Sequence, residues 1–181
     1  MRRQAKLMAN YLPVFTCLKS DVELAGGIPT HDRMIDFLMK GGGEQCWQSI
    51  SRNSWHQKAM GHLLERYPEY APLKYLAQRA EIVRTAELPE TVATLRRLLN
   101  DLEREPERIA RDTDWTGYGR EDVLAFLRQA KPSRRVDEDS MGDIPALFSF
   151  MLSQLEALEE ARSKGKWILY FCFDEFPPYR G

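Results

Sequence analysis

Cysteine and histidine are both scarce in this sequence, three of each among 181 residues. The cysteines, Cys17, Cys46 and Cys172, are odd in number and far apart, which excludes the dense disulfide framework of a small secreted scaffold and suits reduced thiols. None belongs to a C-x-x-C pair, so no structural zinc site is expected. Long apolar runs are also missing. The longest, Trp167 to Phe173, falls far short of the roughly 18 residues that mark a membrane-spanning helix. Neither sign of charge is in excess: 26 basic and 27 acidic residues leave a formal charge of -1, which argues against a nucleic-acid binder relying on bulk positive charge. The opening "MRRQAKLMANYLPVF" has no apolar core or cleavage site of a signal peptide, and the expected location is the cytoplasm.

Catalytic signatures are equally thin. Gly41-Gly42-Gly43 lacks the Lys-Ser/Thr of a phosphate-binding loop and reads as a helix–helix joint; Gly117-Tyr118-Gly119 carries no more. No G-x-S-x-G occurs, and Ser54 and His56 point apart on a helix. His56 and His62 are six residues apart, whereas helical zinc ligands converge at a spacing of four. The dipeptide His31-Asp32 has the form that supplies two metal ligands in HD-type phosphohydrolases, but that pattern needs an upstream histidine and none precedes His31. The Arg96-Arg97, Arg104, Arg108, Arg111 stripe is interleaved with Asp101, Glu103, Glu105 and Glu107, as intrahelical ion pairs are. No metal, cofactor or catalytic group is assigned.

What the sequence does have is helical periodicity. A short helix is expected after Thr30, with Met34, Ile35 and Leu38 inward. S-x-x-Q at Ser54–Gln57 opens a second, with Ala59, Met60, Leu63, Leu64 and Tyr67 on one face and Pro68 as its stop. Pro72 begins a third, with the stripe Leu73, Leu76, Ala77, Ala80 and Val83. Pro89 starts one lined by Val92, Leu95, Leu99 and Leu102; a short piece follows Pro106; Val123, Phe126, Leu127 and Ala130 mark another. The longest runs from Asp143 through Leu147, Phe148, Met151, Leu152, Leu155 and Leu158 to Gly165, placed as a C-terminal glycine cap.

One segment breaks the pattern. "KWILYFCFD" is apolar on both alternating faces, as a strand covered on both sides would be. Its only comparable partner is Tyr11 to Leu18, with Pro13 confined to the start or outer side of that strand. The expected fold is therefore mainly α: one domain over 1–181, a compact bundle of about six or seven helices, and a minor two-stranded β element formed by the chain termini. Residues 131–143, "KPSRRVDEDSMGD", are expected to be a mobile, exposed loop within it.

For function, these residues point to protein binding without catalysis, of the inhibitor or immunity type that neutralises a toxin or enzyme by occluding its active site. Asp174 and Glu175 follow the last strand, with Phe176 and Tyr179 around the stiff Pro177-Pro178 pair; Asp137, Glu138 and Asp139 form a second acidic element and Trp115 a further aromatic contact. Acids of this kind would meet a basic active-site surface on the partner. Two alternatives stand beside it. One is a small helical enzyme with an unrecognised site, metal-dependent or not, that uses His31, Asp32, His56 or His62. The other is a self-assembling regulatory subunit whose terminal strand adds across a homodimer axis.

Overall fold

A computed structural model describes residues 12–20, 33, 42–51, 55–78, 80–107, 118–137 and 141–172. In chain order these form β1 (Leu12–Lys19), β2 (Glu44–Ser51), α1 (Trp55–Arg66), a 3-10 helix (Pro68–Ala77), β3 (Ala80–Val83), α2 (Leu88–Arg104), α3 (Arg120–Gln129), β4 (Arg135–Asp137), α4 (Asp143–Lys164) and β5 (Trp167–Cys172). The strands make one sheet in the order β3-β5-β1-β2-β4, antiparallel except for the parallel pairing of β2 with β4.

This corrects the expected bundle of six or seven helices with a two-stranded element. Among the described residues there are five helices, counting the 3-10 helix, and a five-stranded sheet. β1 and β5 do pair, from Val14 opposite Cys172 to Lys19 opposite Trp167, but as neighbours inside a larger sheet. Among the described residues Pro13 is paired with Ile50 of β2, and the described β1–β5 register begins one residue later, at Val14 opposite Cys172. Of the short helix expected after Thr30 only Arg33, which is helical, is among the described residues, and most of the piece after Pro106 lies outside them.

The missed strands have identifiable reasons. β2, "EQCWQSIS", is mostly polar and has no apolar run to announce it. The glycine triplet before it leads into this strand, with Gly43 at a φ of 76°, and does not join two helices. β3 is only four residues long, and Ala80 and Val83 sit three apart, a spacing that fits a helix as well as a strand. The preceding stripe is real but tighter than α: Tyr70, Leu73 and Leu76 are buried at intervals of three, the period of the 3-10 helix they occupy.

β4 falls inside the stretch read as a loop. Val136 is buried, and two serines of α4 fasten the chain before it: the Ser133 N–H donates to Ser153 Oγ (2.8 Å) and Ser149 Oγ donates to the Lys131 carbonyl (2.8 Å). Hydrogen bonds to buried hydroxyls hold a segment that has little apolar surface of its own.

α4 is the centre of the molecule. It touches β1, β2, β4 and β5 on one side and α1, α2 and α3 on others. Buried positions from Ile144 to Ala161 therefore run around the helix instead of along one stripe. Gly165, left-handed at φ 61°, ends α4, and the chain turns directly into β5. In β5, Ile168 and Tyr170 face the helices while Leu169, opposite Cys17, is buried on the other face. The central strands are thus enclosed on both sides.

Candidate functional site

Two features of the surface could serve a partner: one end of the sheet, and one of its edges. The end follows from strand directions. β5 and β2 each run antiparallel to β1, and β4 runs parallel to β2, so β2, β4 and β5 all finish at the same end. In register, Cys172 lies opposite Val14, Val14 opposite Ser49, and Ser49 opposite Val136. Three strand spacings separate the last turns of β5 and β4, roughly 14 Å. Asp137, half-buried, is the final residue of β4 and pairs with Ile50. The other residues singled out in the sequence, Glu138, Asp139, Asp174, Glu175, Phe176, Tyr179 and Trp115, lie outside the described residues, as do His31 and Asp32.

The edge belongs to β3. A cavity of about 360 Å³ is lined by Ala71, Pro72, Lys74 and Tyr75 of the 3-10 helix, by Glu81, Ile82 and Val83 of β3, and by Glu87, Glu90 and Thr91 at the start of α2. Leu88 with Pro89 opens α2, and Glu87 caps the preceding turn by accepting the Arg84 N–H at 2.8 Å. Acidic residues in a first helical turn suit the positive end of the helix dipole, which accounts for Glu87 and Glu90. It does not account for Glu81, which sits on the strand. Sequence reasoning missed this groove because β3 was absorbed into a helix.

The floor of the groove connects to a buried polar node. Tyr75 is 2% exposed, and burial holds its phenol well above the usual tyrosine range, so the hydroxyl stays a hydrogen-bond donor. It donates to Gln154 Oε1 at 3.4 Å, while Gln154 Nε2 donates to Thr16 Oγ1 at 3.0 Å. Tyr170 meets the Tyr75 ring edge-on at 5.4 Å and donates to the Leu76 carbonyl at 3.3 Å. This node ties α4, β1 and the 3-10 helix together, and the Cys46 thiol donates to the Thr16 carbonyl beside it at 3.2 Å.

The chemistry-bearing residues elsewhere do not converge. His56 is buried with its ring 4.6 Å from Phe150, whereas His62 is exposed on the same helix. Among the described residues, no group of three or more His, Cys, Asp or Glu side chains is arranged to hold a metal ion. No described helix is long and apolar enough to cross a membrane. Burial pushes the thiols of Cys17 and Cys46 up to about 12, so both remain protonated at neutral pH. Native protein is accordingly expected to react slowly at Cys17 and Cys46 with a thiol-reactive disulfide reagent, with both reacting fully on denaturation. Rapid labelling of Cys17 in the folded state, located by peptide mass mapping, would contradict its burial, while Cys46, half-buried, is expected to be the faster of the two.

Comparison with protein-family models, curated proteins and solved structures finds no match to this chain.

Proposed function

We propose that this protein acts in the cytoplasm by binding another protein and occluding its active site, as an inhibitor or immunity-type protein does. The observation that carries the reading is the shared end of the sheet. β4 and β5 finish roughly 14 Å apart, a separation well within one protein–protein interface. In the sequence, Asp137-Glu138-Asp139 begins at the last residue of β4, and Asp174-Glu175 follows the last residue of β5 after Phe173. A single partner surface could therefore engage both. Phe176, Tyr179 and Trp115 would supply the desolvated aromatic contacts that carry most of an interface's energy, and the acids would steer a basic surface into place.

The test uses the tagged full chain as bait in its native cytoplasm, beside a variant in which all five acids are changed to lysine. The expected result is a stoichiometric protein partner whose association slows by about tenfold or more in the variant, with a steep dependence on salt in the parent. Because Asp137 is part of β4, a second variant keeps it and reverses only Glu138, Asp139, Asp174 and Glu175. A partner bound equally by all three proteins would rule out this surface, and no partner at all would rule out the reading.

A further inference from the structure

The edge of β3 away from β5 has a geometry that the occlusion reading does not use. Successive residues of a strand point to opposite faces, so a cavity lying over one face touches alternate residues. The cavity here touches Glu81, Ile82 and Val83 in succession, which places it along the strand's edge. β5 occupies one edge of β3, and among the described residues no strand lies along the other. The groove is thus bounded by the hydrogen-bonding edge of a strand on one side, and by the 3-10 helix and the first turn of α2 on the others.

Its chemistry is asymmetric. Three acidic residues, Glu81, Glu87 and Glu90, and one lysine, Lys74, line it together with the apolar residues Ile82, Val83, Ala71 and Pro72, and one oxygen of Glu87 accepts the Arg84 N–H. β3 is four residues long, so it offers pairing over roughly 13 Å. A small cation would use the charge and leave the strand edge unpaired; an acidic peptide would be repelled. An extended basic segment uses every part: its backbone continues the sheet, and alternate long cationic side chains reach the glutamates while their stems cover the apolar wall.

We propose that β3 and its groove form a second binding site, one that takes an extended lysine- or arginine-rich segment of a partner protein by strand addition. The site lies on the far side of β5 from β4 and does not depend on the occlusion reading. Reversing the acids at the ends of β4 and β5 leaves its affinity unchanged.

The probe is a capped peptide of about eight residues, enough to overrun β3 at both ends, that alternates lysine and valine. Binding is followed by calorimetry and by amide chemical shifts of the full-length protein. The expected result is saturable binding that shifts the amides of Ala80–Val83. Affinity should fall about tenfold or more, equivalent to 1.4 kcal/mol, when the protein carries Glu81→Gln with Glu90→Gln. It should fall similarly when alternate peptide amides are N-methylated, a change that leaves the protein untouched and so cannot be mistaken for misfolding. Three outcomes overturn the proposal: no binding at millimolar peptide, shifts that map to another surface, or equal binding of the N-methylated peptide with full competition by spermidine. The last would mean charge capture without strand pairing.

Discussion

Replacing Phe148 with alanine is expected to lower stability by about 3–5 kcal/mol, more than any other single truncation considered for this protein. Phe148 is 0% exposed and sits in the first half of α4, the helix enclosed by the sheet on one side and other helices around it. Surroundings built from several elements cannot all shift inward to fill the vacated volume, so the cavity term adds to the lost transfer energy. For a chain of this size the melting temperature should drop by roughly 6–20 °C. Glu156→Ala, on an exposed position of the same helix, is the control and should change stability by no more than about 0.5 kcal/mol. Urea denaturation of the two variants measures both. A loss below about 1 kcal/mol for Phe148→Ala would mean that α4 is not enclosed as described.

The second large effect is polar. Gln154 is 0% exposed, yet it joins Thr16 of β1 to Tyr75 of the 3-10 helix through its amide. Gln154→Leu keeps most of the volume and leaves both hydroxyls without that partner in a site water does not reach. A penalty of about 2–4 kcal/mol is expected. Thr16→Val removes one of the stranded groups at nearly constant shape, so Gln154→Leu with Thr16→Val should be more stable than the sum of the single changes implies. Coupling of about 1 kcal/mol or more in that double-mutant cycle is the signature of a working hydrogen-bond node. Strict additivity would mean that the two side chains do not interact.

How far the fold could be read in advance depended on the length and contrast of each element. β5 was legible because six consecutive apolar residues, rich in aromatic and β-branched types, have no other comfortable home. α2 was legible too, since Val92, Leu95 and Leu102 lie at helical intervals and are buried. α4 showed its length and its glycine stop, but its apolar stripe says nothing of Ser149, Ser153 and Gln154, which are buried tethers. β2 and β4 carried no local signal. The first is stabilised by pairing with β1, and the second by one buried valine and by serines distant in sequence. Tertiary hydrogen bonding of this kind leaves no periodicity to find.

The candidate sites divide in the same way. Acidic residues were visible as types, and Asp137 does close β4. That the ends of β4 and β5 share one side of the sheet is a matter of strand direction, which composition does not encode. The groove beside β3 required knowing that Ala80–Val83 is a strand and that it stands at an edge.

The place of β5 in the sheet also governs when the molecule can assemble. β5 lies between β3 and β1, and both are made on the ribosome before it. Until Trp167–Cys172 emerges, β3 has no strand beside it among the described residues, and β1 has β2 alone of the described strands. The helical layer can gather early through local contacts, but the sheet must wait to close a loop spanning nearly the whole described chain. Closure of the sheet should therefore be a late, cooperative step that follows the synthesis of β5. A chain halted before residue 167 would present unpaired strand edges to its neighbours, leaving such fragments prone to aggregation and recognition by chaperones.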